Sequence, residues 1–158
     1  ILCCEEVCRD AVSSMAYKTL PIKLQLPAEV FAGIQQQCWQ WQSSQDVKPF
    51  ADASVLVRQK VDAEGEWKAL QVHAIVLAAS CEYFRCLWAG NFLEASRPAE
   101  VRVEDAPAGA VESFISVIYG QVASLSSFES LQHMFCLADR WQCESVRAAV
   151  LALINDPF

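Results

Sequence analysis

The chain has 158 residues, of which 54% are hydrophobic and 20% charged, with a net charge of −7 at neutral pH. This size suits one large domain, or one domain with an appendage. The composition can bury a core and is not that of a disordered segment. Twelve basic residues scattered singly through an acidic chain argue against a nucleic-acid partner, because phosphate binding needs clustered Lys and Arg.

Residues 1–19 read as a helix, with Val7, Ala11, Met15 and Thr19 at i, i+4 spacing and Cys4 and Cys8 continuing the face. Pro21 ends it. Pro27 suits the first turn of a second helix, favoured by Glu29, whose stripe is Val30, Phe31, Ile34 and Cys38. Gln40 to Lys48 is polar and reads as a linker.

At Phe50 the period changes. Ala53, Val55 and Val57 alternate with Ser54, Leu56 and Arg58, and Trp67, Leu70 and Val72 mark a second strand. The turn residues Asp62 to Gly65 lie between them, which predicts a hairpin over 52–73. Helices are then expected over about 74–80 and 81–89, the second with Phe84, Leu87 and Trp88 on one face and Gly90 placed to stop it.

Val101 to Val103 is a short third strand. After Pro107, Val111, Phe114, Ile115 and Ile118 fall at i, i+3, i+4, i+7, an amphipathic helix ended by Gly120. Ser126 and Glu129 have capping-box spacing ahead of a helix whose buried face is Phe128, Leu131, Phe135 and Ala138. A last helix, from about Gln142, carries Val146, Ala149, Val150 and Leu153. A hairpin first and helices clustered after it predict an α+β fold, with a short three-stranded sheet and five or more helices.

Eight cysteines sit in a chain with only 5 Gly and a helical pattern, unlike a disulfide scaffold. Cys81, Cys86, Cys136 and Cys143 read as small hydrophobes in apolar helical stretches, reduced, and hence as a sign of an intracellular protein of cytoplasm or nucleus. No apolar run approaches the roughly 20 residues of a membrane helix, so no membrane partner is expected. Glu5, Glu6, Arg9 and Asp10 come too early for a secretory signal. The start at Ile1 fits a piece of a longer protein.

Several segments together resemble the BTB/POZ domain family. Phe50-Ala51-Asp52-Ala53-Ser54-Val55-Leu56-Val57 resembles the family's opening strand, with its hydrophobic–Asp–x–x–hydrophobic pattern. Val72-His73-Ala74-Ile75-Val76-Leu77-Ala78-Ala79-Ser80 is similar to its H-K-x-x-L-A-x-x-S segment, with Ala74 in place of the Lys, and Tyr83-Phe84 to its Y-F pair. Phe92-Leu93-Glu94 falls where the family has F-x-E. Ile118-Tyr119-Gly120 resembles its Y-T-G corner without the Thr, and Leu137-Ala138-Asp139-Arg140-Trp141-Gln142 its closing A-A-D-x-x-Q. Each motif is weak alone, and six in the right order are specific. The resemblance covers about 50–154, with a hairpin lengthened by Lys60 to Lys68.

It implies a domain over 49–154, a helical segment and linker over 1–48, and a tail over 155–158. Cys4-Glu5-Glu6-Val7 echoes Cys143-Glu144-Ser145-Val146. Chance similarity of two short helices explains the echo. So does residue 1–19 being the last helix of a preceding BTB repeat in a tandem protein.

Candidate chemical sites resolve toward structure. Asp52 and His73 are polar residues in apolar joints with no third ligand or nucleophile nearby. They read as a framework pair, hydrogen-bonding the first strand to the first helix, rather than as a catalytic or metal pair. Cys3, Cys4, Cys8 and Cys38 lack paired Cys-x-x-Cys knuckles for zinc. His133 with Cys81 or Cys136 lacks the orienting group of a thiol enzyme, and no Gly-rich phosphate loop is present. No catalytic residue, metal or cofactor is expected.

The resemblance implies a protein-interaction module that pairs with itself or another BTB domain. It also implies a substrate adaptor for a cullin-3-type ubiquitin ligase, with Phe92, Leu93 and Glu94 as the cullin contact and an unidentified substrate protein. An ordinary loop Phe tucked into the core remains the other reading of Phe92. Purely structural oligomerisation, as in transcription regulators or scaffold proteins, remains the other reading of the function.

Overall fold

Alternation in the stretch Ala-Ser-Val-Leu-Val-Arg builds the centre of the molecule. The computed structural model, which describes residues 20–27, 50–58, 66–89 and 99–155, folds it as strand β2 (Ala53–Arg58), preceded in the chain by β1 (Ile22–Leu24). Every second side chain of β2 is buried: Ala53, Val55 and Val57. The partner strand β3 (Trp67–Val72) runs antiparallel in the register Ala53↔Val72 to Arg58↔Trp67. Helices α1 (Ala74–Ser80) and α2 (Glu82–Ala89) follow. They carry the chain over to β4 (Ala99–Val103), which lies parallel to β2 on its other edge, Ala53↔Ala99 through Val57↔Val103. A parallel pair needs such a crossover, and the helix pair supplies it. The resulting sheet has the order β3-β2-β4.

The rest is helical: α3 (Ala108–Ile118), α4 (Phe128–Arg140) and α5 (Glu144–Asn155), with a short strand β5 (Ala123–Leu125) between α3 and α4. The expected stripe of α3 is buried in full, at Val111, Phe114, Ile115 and Ile118. The α+β fold and the helix cluster therefore follow the sequence reading.

Three differences have physical causes. β1 pairs with β5 in a separate two-stranded sheet, Ile22↔Leu125 to Leu24↔Ala123, and Ile22, Leu24 and Leu26 enter the core. The sequence reading had a helix junction there, because three residues are too few to display a period of two. Secondly, the cap of α4 is Ser127, not Ser126: its hydroxyl accepts from the Ser130 amide at 3.1 Å. Thirdly, Cys86 is exposed rather than a core residue, while Cys81 and Cys143 are buried. The helices proposed for 1–19 and from Pro27 onward, the linker 40–48, the turn at 62–65 and the stop at Gly90 lie outside the described residues, as do Cys3, Cys4, Cys8 and Cys38.

The C-terminal ends of α3, where Gly120 is expected to stop the helix, and of α4 close in the same way. After α3, Gly120 takes φ 88°, its amide donates to Val117 O, and that of Gln121 to Ser116 O. After α4, Gln142 takes φ 52°, its amide donates to Asp139 O, and that of Cys143 to Ala138 O. This paired bonding satisfies carbonyls that the helix leaves open. It reverses the chain sharply enough to fold α5 back along α4.

Between the helices lies an aromatic cluster. Phe84 stacks on Trp88 with centroids 4.9 Å apart and meets Trp141 at 5.0 Å, and Phe114 meets Trp141 edge-on at 5.0 Å. Edge and offset geometries of this kind add to the area each ring buries.

Candidate interaction site

The joint between β2 and α1 is built from two polar residues, each with its own task. A helix leaves its first amides without internal partners. His73, the residue preceding α1, does not cap it with its own side chain. Asp52, one residue before β2, does so instead: its Oδ1 accepts from the Ala74 amide at 2.7 Å. The Asp52 amide in turn donates to Val72 O at 3.2 Å. The helix start is thus tied to the strand start from a neighbouring segment, with the carboxylate near the positive end of the helix dipole.

His73 turns inward and is buried. Its Nδ1 lies 2.8 Å from the Tyr119 hydroxyl, and its backbone amide donates to the same oxygen at 2.8 Å. Tyr119 is fully buried at the C-terminal end of α3. One hydroxyl therefore fastens the start of α1 to the end of α3. A buried imidazole needs such a partner. Sequence reasoning singled out Asp52 and His73 as framework residues and missed the role of Tyr119. The signal was present in the Ile118-Tyr119-Gly120 corner, but nothing local connects that corner to His73.

Around this joint large apolar side chains face outward. Phe50 is 79% exposed and Ile75 54% exposed. The Asp52–Ala74 bond brings the segment carrying Phe50 to the start of the helix carrying Ile75. Phe50 also holds φ 64°, a left-handed conformation uncommon for a bulky residue. Tyr83, on α2, is 39% exposed and edge-on to Phe84 at 5.2 Å.

The outer face of the sheet is different in kind. Trp67 lies beneath Arg58, 4.6 Å from its ring centroid, with Arg102 at 5.8 Å. These cation–π contacts occupy the tryptophan face and hold the two guanidinium groups over it. Phe92, Leu93 and Glu94 lie outside the described residues, between α2 and β4. Among the described residues no group of three His, Cys, Asp or Glu side chains is placed to hold a metal ion, and no helix is long and apolar enough to cross a membrane.

Comparison with known proteins agrees with this architecture. A BTB/POZ domain family model matches residues 42–156. Human Kelch repeat and BTB domain-containing protein 7 is 28% identical over 115 residues, covering 73% of this chain and 16% of that protein. Bovine BTB/POZ domain-containing protein 9 is 35% identical over 78 residues, 44% of this chain and 13% of that protein. The chain thus spans about a sixth or less of the length of these relatives. The solved BTB (Tramtrack and Bric a brac) domain of human gigaxonin superposes with a TM-score of 0.56, covering 87% of this chain and 98% of that one at 14% identity. That level of identity speaks to the fold alone.

Proposed function

Because the chain belongs to the BTB/POZ domain family, a protein-interaction module, we propose that it acts as a self-associating adaptor. It pairs with a second copy or another BTB domain, and it bridges a substrate protein to a cullin-3-type ubiquitin ligase. The observation that carries the pairing is the outward apolar surface at the β2–α1 joint, Phe50 and Ile75. Removing apolar surface from water is worth roughly 25 cal/mol per Å². In a two-fold pairing the same patch contributes from both copies.

Support for the bridging comes from the sequence. Phe92-Leu93-Glu94 has the hydrophobic–x–Glu order of the family's cullin contact. In this reading Phe92 fills an apolar pocket on cullin-3, and Glu94 orients the approach. The substrate would be held elsewhere in the parent protein or on its partner. Catalysis by the ligase would then gain from effective concentration, with no chemistry done by this domain.

The test is a titration of purified cullin-3 against the parent chain and the double variant Phe92→Ala/Glu94→Ala, beside melting curves. The parent should bind. The double variant should lose about 30-fold or more in affinity, because one central apolar anchor is worth roughly 2 kcal/mol or more, while its melt stays unchanged. Glu94→Ala alone should do less, acting mainly on association rate and its salt dependence. A parent that never binds cullin-3 overturns the bridging and leaves oligomerisation as the function.

A further inference from the structure

Two buried cysteines from distant parts of the sequence meet at one point of the fold. Cys81 links α1 to α2, and its carbonyl accepts the Arg85 amide in the first turn of α2. Cys143 immediately precedes α5 and does the same for the Arg147 amide. Two consecutive backbone bonds hold these segments together: Glu82 N to Gln142 O and Tyr83 N to Trp141 O, both 3.2 Å. The cysteines flank this clamp, one on each segment. The Cys81 and Cys143 side chains interact directly, and both are buried, at 1% and 0% exposure. Both thiols are free.

We propose that Cys81 and Cys143 form an oxidisable dithiol that closes to a disulfide when the chain meets a hydroperoxide. The pairing is asymmetric. Hydrogen bonds from the Cys81 thiol, the Ser145 hydroxyl and the Val146 amide draw the Cys143 thiol down to about 7, against the opposing effects of burial and Glu144. The Val146 amide belongs to the first turn of α5, so the sulfur takes the place of a capping oxygen. Cys81 is pushed strongly upward, first by its bond to Cys143, then by burial and by the Cys143 charge.

The reaction follows from this asymmetry. The Cys143 thiol gives its proton to solvent, and the thiolate attacks one peroxide oxygen. The O–O bond breaks, leaving a sulfenic acid and a hydroxide (an alkoxide, for an organic peroxide) that takes up one proton. With the Cys143 thiolate gone, Cys81 loses both its bond to that sulfur, the first cause of its elevation, and the Cys143 charge. Its sulfur attacks the Cys143 sulfur, and the sulfenic hydroxyl leaves with the Cys81 proton as water. Two thiols and one hydrogen peroxide thus give one disulfide and two waters. The sulfurs are oxidised and the peroxide reduced. A dithiol reductant reverses the closure by exchange. The new bond ties the α1–α2 junction to the α4–α5 turn, and such a cross-link restricts the unfolded chain more than the folded one.

The experiment treats the native chain with submillimolar hydrogen peroxide, traps remaining thiols with N-ethylmaleimide, and digests with trypsin without reduction. Cleavage after Lys68, Arg85, Arg140 and Arg147 separates both cysteines from Cys86 and Cys136. The expected product is peptide 69–85 linked to peptide 141–147, abolished by dithiothreitol, accompanied by a rise in melting temperature. Cys143→Ser, which keeps a capping oxygen, and Cys81→Ala should each remove the linked peptide and the rise. Cys81 and Cys143 recovered as maleimide adducts while exposed Cys86 is oxidised would overturn the proposal. So would a linked peptide without the rise.

Discussion

Tyr119 is a residue whose single oxygen does the work of two partners. It accepts the His73 amide and meets the His73 ring, across 46 residues of sequence. Because that ring is engaged inside the core, the cap of α1 falls to Asp52. We predict that Tyr119→Phe lowers stability by about 1–3 kcal/mol, the cost of leaving buried polar groups with fewer partners. In a chain of this size that moves the melt down by several degrees. A thermal melt followed by circular dichroism checks it, and an unchanged midpoint would contradict the assigned role. Polar residues in apolar joints were visible in the sequence, which is why Asp52 and His73 stood out. Their partners were not, because a long-range hydrogen bond leaves no local pattern.

The elements divide by length. α3 and α4 show two or more turns of apolar spacing, so their buried faces, from Val111 to Ile118 and from Leu131 to Ala138, could be read directly. β2 shows three full alternations and was equally legible. β1 and β5 are three residues each, and neither buries its alternate side chains without the other. Neither could be found alone, since pairing distant segments is a tertiary event. Two predictions belong at this scale. Leu24→Ala should destabilise the chain by roughly 2–5 kcal/mol, the usual loss for a fully buried leucine. A melt equal to the parent's would mean that β1 is not part of the core. Ser127→Ala should cost about 1 kcal/mol through loss of the Ser130 amide bond, whereas Ser126→Ala, at an exposed position, should cost close to nothing. Denaturation midpoints for the two variants, measured side by side, decide which serine caps α4. The reverse order would restore the capping-box reading.

At the scale of the whole molecule, an acidic chain with a continuous core presents large apolar side chains around the joint where β2 meets α1. Single exposed apolar residues are ordinary on protein surfaces, but Phe50 and Ile75 on two segments joined by the Asp52–Ala74 bond suit burial against a partner. A variant that changes only this surface should change assembly and leave the fold alone, because Ile75 lies on the outward side of α1 while Val76 and Leu77 face the core. The most direct measurement is sedimentation equilibrium of the parent chain and of Ile75→Asp over a wide concentration range. We predict a parent mass rising to twice the 17.5 kDa monomer, and a variant that stays monomeric with an unchanged melt. A parent that remains at 17.5 kDa at every concentration would contradict self-association through this surface.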